Sequence, residues 1–213
     1  MKTYKFAILL LITSAMVLTF TSSHSGNSRK QEIVLTLGEP APVEKDPLLL
    51  RGDSLRKAGS LNDAIKAYLQ LVEDKAASPS KSEAHYNIGL CYTLTGNKEG
   101  AREVFDSVIK TYPNDKTAIA YATYGLAWVT DQEMKHKESV AILDGIIANQ
   151  EGDDKLQASA LLKRGGIYLY KLGDREKARQ DFLKLVELYP ESHAASLSFV
   201  QEMGQLMKGG END

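Results

Sequence analysis

Three stretches of this chain can be laid over one another without a gap: GDSLRKAGSLNDAIKAYLQL (Gly52 to Leu71), GLCYTLTGNKEGAREVFDSV (Gly89 to Val108) and GIYLYKLGDREKARQDFLKL (Gly166 to Leu185). Each carries a glycine, a second glycine seven residues on, an alanine five later and an aromatic four later. The glycines are Gly52/Gly59, Gly89/Gly96 and Gly166/Gly173; the alanines are Ala64, Ala101 and Ala178; the aromatics are Tyr68, Phe105 and Phe182. A degenerate copy, Tyr124 to Ile147, keeps Gly125 and Trp128, lacks the turn glycine, and has Ser139 and Leu143 in place of alanine and aromatic. At the small-residue position the copies lie 37 (64 to 101), 38 (101 to 139) and 39 (139 to 178) residues apart. A period of this size confines the chain to units that bury their apolar faces only against one another.

Within the copies, apolar residues recur every three or four positions, as in Ala64, Ile65, Tyr68, Leu69 and Val72, or Phe182, Leu185, Val186 and Tyr189. That is the helical period, and no alternating strand pattern competes with it there. The second glycine, followed by Ser, Asn or Asp, ends one helix and opens the next. A glycine in the first helix and an alanine in the second permit a close crossing, while the aromatic fills the gap to the following pair. Helices are predicted at about 48–58 and 61–75, 81–95 and 97–111, 115–132 and 136–149, and 154–172 and 174–189. Ser80-x-x-Glu83 reads as a capping box. An amphipathic helix at about 192–207, through Ala195, Leu197, Val200, Met203 and Leu206, is expected to cap the open end, with 208–213 a frayed tail.

These spaced residues resemble the tetratricopeptide repeat, a helix–turn–helix unit of about 34 residues. The resemblance covers residues 48–207 and implies an all-α, right-handed superhelix of about four helix pairs plus the capping helix. The extra residues of each copy fall in longer helices or connections, such as Ala76-Ala77-Ser78-Pro79 and Asn149 to Asp154. The Tyr-Pro-x-x-x-x-Ala segments, YPNDKTA and YPESHAA, are similar to repeats of exported bacterial envelope proteins, of the outer-membrane assembly and Tol–Pal-associated type.

The resemblance also implies a concave groove walled by the first helices. Taking Gly52, Gly89, Gly125 and Gly166 as one position, the groove receives Asp53 and Arg56, then Tyr86, Asn87, Leu90 and Thr93. Leu126 and Val129 follow, then Lys163, Ile167 and Tyr170, with a basic end at Lys163-Arg164. Tyrosine and arginine suit the anchoring of a peptide. Some cytosolic members hold a peptide's terminal carboxylates with lysine, asparagine and arginine from three repeats. Here Asn87 fills the second-repeat position, but Leu49 and Asp53 replace the first pair and Ile119 and Thr123 the last. That mode is not expected.

The N-terminus has a different character. Lys2 and Lys5 precede an apolar run, Phe6 to Phe20, and Thr21-Ser22-Ser23 supplies small residues after it. This is the layout of a secretory signal peptide. As a helix the run would span about 22 Å, short of the roughly 30 Å hydrocarbon core. Residues 1–23 are therefore expected to be a cleaved signal, or alternatively an N-terminal membrane anchor. Residues 24–47, with Pro40, Pro42 and Pro47, read as a flexible linker containing a β-prone island, Ile33 to Leu37, which could also pair with a partner's sheet edge.

The residues nominate no chemistry. The four histidines, His24, His85, His136 and His193, form no metal-ligand spacing, and no phosphate-binding glycine loop occurs. The single cysteine, Cys91, rules out a disulfide framework and multi-cysteine metal sites. The net charge is −2, and losing Lys2 and Lys5 with the first 23 residues leaves −4, which gives no excess of positive charge for nucleic acid. The expectation is a non-enzymatic scaffold with no cofactor or metal, exported to the periplasm. It would bind a protein or peptide partner within an envelope assembly or cell-wall machine. The alternative is a membrane-anchored accessory subunit of a larger complex.

Overall fold

The computed structural model describes residues 16–20, 31–35, 45–76, 78–197 and 200. The chain divides into two compact units, residues 1–44 and 45–213. In the first, β1 (Met16–Phe20) and β2 (Gln31–Leu35) pair antiparallel, with Met16 opposite Leu35 and Phe20 opposite Gln31. The end of the apolar run and part of the expected linker are thus extended and paired within the chain. Both segments are rich in β-branched and aromatic or aliphatic residues, which favour strands.

The second unit is helical: α1 (Pro47–Lys57), α2 (Leu61–Glu73), α3 (Lys81–Leu94), α4 (Lys98–Thr111), α5 (Lys116–Gln132), α6 (His136–Ala148), α7 (Asp154–Ile167) and α8 (Arg175–Leu188). Each packs on the next, and the first helices of successive pairs also touch, α1 on α3, α3 on α5 and α5 on α7. This is the expected all-α array of four pairs. Starts are set by side-chain caps: Asp46, Asn97, Asp115, Asp153 and Asp174 each accept a hydrogen bond from a first-turn amide. The predicted capping box at Ser80 does not form. Its hydroxyl makes no cap bond, and Glu83 pairs instead with Lys45 at 2.8 Å. Most of the expected closing helix at 192–207 lies outside the described residues. Residues 193–196 form turns, and Ala194, Ala195 and Val200 bury against the α7–α8 core.

The core runs along the array as connected clusters in which the aromatics of the second helices are fully buried. A Cβ built on Gly52 would lie 2.3 Å from the Tyr68 ring, and one on Gly89 would lie 2.5 Å from Phe105. The glycines therefore make room for the aromatic. Phe105 also meets the following pair, since a Cβ on Gly125 would lie 2.4 Å from it.

The repeats share a turn but differ in register. The residue between the paired helices is left-handed in all four: Gly59 (φ 79°), Gly96 (78°), Met134 (65°) and Gly173 (69°). In the first three, the next amide donates to the carbonyl four residues before the left-handed one: Ser60 to Leu55 (2.9 Å), Asn97 to Tyr92 (2.9 Å) and Lys135 to Thr130 (3.2 Å). In the fourth, Asp174 donates to Tyr168, five before (2.9 Å). There α7 runs into a π-helical turn, Tyr168–Leu172, which absorbs one extra residue.

The assumption that Gly52, Gly89, Gly125 and Gly166 are equivalent is corrected accordingly. In the fourth repeat the crossing glycine is Gly165, whose Cβ would lie 2.7 Å from Phe182, whereas a Cβ on Gly166 would meet nothing within 4 Å. In the third repeat, counting back from Met134 puts buried Ala127 at the crossing, and its carbonyl accepts a 2.7 Å hydrogen bond from the Ser139 hydroxyl. Gly125 serves the Phe105 ring instead.

Candidate partner-binding groove

The first helices enclose a cavity of about 830 Å³, walled by α1, α3, α5 and the start of α7. A second, of about 300 Å³, lies between α5 and α7 and shares Tyr124, Trp128 and Ser159 with the first. Together they form one continuous trough. Its floor is aromatic: Tyr86 stands edge-on to Tyr121 at 5.4 Å between ring centres and rests on Phe105 at 5.7 Å, and Tyr124 and Trp128 follow along α5. Burial pushes the Tyr86 and Tyr121 hydroxyls well above the ordinary tyrosine pKa, so they remain protonated donors.

Asp53, Arg56, Tyr86, Asn87 and Leu90 all line the larger cavity. Three of them are linked in one network with Tyr68. Asp53 accepts from the Tyr68 hydroxyl (2.8 Å) and from Asn87 Nδ2 (3.3 Å), and Arg56 Nε donates to the same hydroxyl (3.3 Å). This network ties α1, α2 and α3 together at one end of the trough. Lys163 and Tyr170 line the smaller cavity. Lys163 Nζ donates to Asp131 at 2.6 Å and lies 4.5 Å above the Trp128 ring, a cation–π contact. Burial alone would raise the Asp131 pKa, but hydrogen bonds from Lys163 and His136 outweigh it and hold the carboxyl below its usual range. Tyr170 is 69% exposed at the cavity edge.

Arg164, expected at the basic end, is not part of the trough. Its Nε donates to Asp181 at 2.9 Å, and its guanidinium also reaches Asp144, so it faces the second helices α6 and α8. Each residue advances a helix by about 100°, so a register shift of one turns a side chain from one face to the next. Val129, also expected in the groove, is fully buried, and Leu126 packs against the same core cluster. The structure adds Tyr121, Tyr124 and Trp128, together with Lys57, Lys155 and Lys171. The three aromatics sit at three- and four-residue spacing on α5, a stripe readable in the sequence.

Every carboxylate lining the trough has a partner: Asp53 and Asp131 as described, Glu83 with Lys45, Asp115 with Ser82 (2.7 Å), and Asp153 with Tyr121 (3.0 Å). Cys91 is buried away from the trough, and burial pushes its thiol up to about 11, an unreactive state. Among the described residues no cluster of His, Cys, Asp and Glu could hold a metal ion. No described helix is long and apolar enough to cross a membrane.

Two family models, each a tetratricopeptide repeat, match residues 49–116 and 159–192. No curated protein matches the chain. Among solved structures, a tetratricopeptide repeat protein from Parabacteroides merdae is 18% identical with a TM-score of 0.50, over 76% of this chain and 59% of that one. This chain thus spans less than two thirds of that relative's length. The nearly identical TPR-like repeats of a putative kinesin light chain from Podosopora anserina are 13% identical with a TM-score of 0.52, over 78% of this chain and 96% of theirs. Likeness at these identities shows the fold alone. Residue pattern, family models and solved folds together support the tetratricopeptide-repeat family for the helical unit of this chain.

Proposed function

We propose that this protein is an exported, non-enzymatic scaffold that binds a protein or peptide segment along the first-helix trough, within a bacterial envelope assembly or cell-wall machine. The observation that carries the binding reading is the continuity of the two cavities through Tyr124 and Trp128. An aromatic floor supplies apolar area at low conformational cost, and the acidic groups around it already hold hydrogen-bond partners within the chain. Export rests on Lys2, Lys5, the apolar run and the small residues that follow. The envelope setting rests on the similarity of YPNDKTA and YPESHAA to repeats of exported envelope proteins.

A photo-crosslinking side chain placed at Leu90 in the trough, and separately at exposed Lys184 on α8, tests the binding face in cells. The reading predicts a discrete protein adduct from position 90. Adducts from position 184 alone would contradict it. The intact mass of the protein from the envelope fraction tests export: loss of about the first 23 residues is expected. Their retention would favour the anchored accessory subunit.

A further inference from the structure

We infer that the smaller cavity is a side-chain subsite, and that the segment the trough takes is an acidic one carrying an aromatic residue, seated over Gly166 beside Lys171. This rests on the trough reading above and specifies its occupant. With the register corrected, the residue after each crossing position lines the trough: Asp53 after Gly52, Leu90 after Gly89, Trp128 after Ala127, Gly166 after Gly165. The first three repeats carry a side chain at this position, large and apolar in the second and third. The fourth leaves it bare, and that vacancy opens the cavity.

Packing does not require the glycine, because a Cβ there would meet nothing within 4 Å. A glycine inside a helix without a packing reason is destabilising relative to alanine, and one use for it is close approach of a ligand to the backbone. Around it stand Tyr124, Trp128 and the 69% exposed ring of Tyr170. Offset or edge-on stacking with an incoming aromatic ring suits such walls.

The charge of the occupant follows from what is uncommitted. Asp53, Glu83 and Asp131 are paired with Arg56, Lys45 and Lys163, whereas Asp115 and Asp153 are bonded only to uncharged hydroxyls and amides. Lys57, Lys155 and Lys171 are exposed on its walls, and no carboxylate among the described residues pairs with any of them. Lys57 and Lys155 offset Asp115 and Asp153 in the larger cavity, so the charge left over is the positive one of Lys171 beside the smaller cavity, although the chain as a whole is net negative. It complements an acidic segment.

Trp128 is the only tryptophan in the chain and borders both cavities, so its fluorescence reads their occupancy. The full chain would be titrated with three synthetic peptides of equal length. One alternates phenylalanine with aspartate, one replaces the aspartates by lysine, and one replaces the phenylalanines by glycine. Only the first is expected to give a saturable change in Trp128 emission. Lys171→Gln and Gly166→Ala should each weaken it about three-fold or more, the size of one modest contact. Gly166→Ala should melt no lower than the wild type, so its lost binding cannot come from lost folding. Equal or tighter binding of the lysine or glycine peptide would overturn the inference while leaving the trough reading in place. Unchanged affinity in both variants would do the same. If no peptide moves Trp128 emission, the inference falls, and the crosslink at Leu90 decides the broader reading independently.

Discussion

The first two repeats and the fourth close the same helix crossing by different means. In the first two, the glycine that admits the aromatic ring lies seven residues before the left-handed turn glycine, and the first helix runs to its end as an α-helix. In the fourth, the distance from Gly165 to Gly173 is eight, and the π-helical turn at Tyr168–Leu172 takes up the difference. The crossing itself is preserved: Phe182 sits on Gly165 as Phe105 sits on Gly89. What changes is everything between crossing and turn, including the direction of Tyr170 and the bare backbone at Gly166. An insertion that would disrupt the core is moved to the trough wall, where a binding surface can use it.

The comparison can be broken first at what the repeats share. Phe105 is fully buried between two first helices, so Phe105→Ala should cost about 3–5 kcal/mol, read from denaturant unfolding. A loss much smaller than this would mean that the aromatic does not hold neighbouring pairs together. Next comes the paired test of the π-helical turn. Gly165→Ala must displace the buried Phe182 ring and should lose about 1–2 kcal/mol net of helix propensity. Gly166→Ala should gain about 0.4–1 kcal/mol, because alanine fits there and restricts the unfolded chain. The reverse order would restore Gly166 as the crossing residue and remove the register shift.

A smaller effect is expected at the turn of the third repeat. Met134 holds φ 65°, a conformation that glycine adopts without a Cβ penalty, and its side chain is 73% exposed. Met134→Gly should therefore raise stability by up to about 1 kcal/mol in the same unfolding assay. The smallest effect concerns pH. Burial lowers the pKa of His85 below its ordinary 6.5, and its Nδ1 makes no hydrogen bond. The unfolded chain thus takes up this proton more readily than the folded one. Its contribution is fully present above pH 6.5 and is lost as the pH falls through the folded value beneath it. The melting temperature should drop on going from about pH 7 to pH 5, and drop less in His85→Gln.

Much of the fold was legible because its determinants are local. The glycine–alanine–aromatic spacing marks both helices of each pair, and the observed boundaries fall within two residues of the pattern except at the π-helical turn and the chain's end. The site was legible where the register was true. Asp53, Arg56, Tyr86, Asn87 and Leu90 were found from Gly52 and Gly89, and all five line the trough. In the third repeat, Gly125 stood two residues from the true crossing at Ala127. That register points to Leu126 and Val129, whereas the counterparts of Tyr86 and Leu90 are Tyr124 and Trp128. In the fourth, the adjacent pair Gly165-Gly166 offered two candidates, and the constant spacing of seven selected the wrong one. A π-helical turn leaves no distinctive residue type in the sequence, so Arg164 was assigned to the trough when its charge is held by Asp181 and Asp144. The strand pairing of residues 16–20 with 31–35 was half visible, in the β-prone island, while its partner was concealed within an apolar run of helical length.

The central claim is that the first helices, and not the second, form the surface a partner covers. Amide hydrogen exchange on the full chain, with and without the partner recovered by crosslinking, tests it most directly. The account predicts added protection in 81–94, 116–132 and 154–172, with 98–111 and 175–188 unchanged. Protection confined to 98–111 and 175–188 would contradict it.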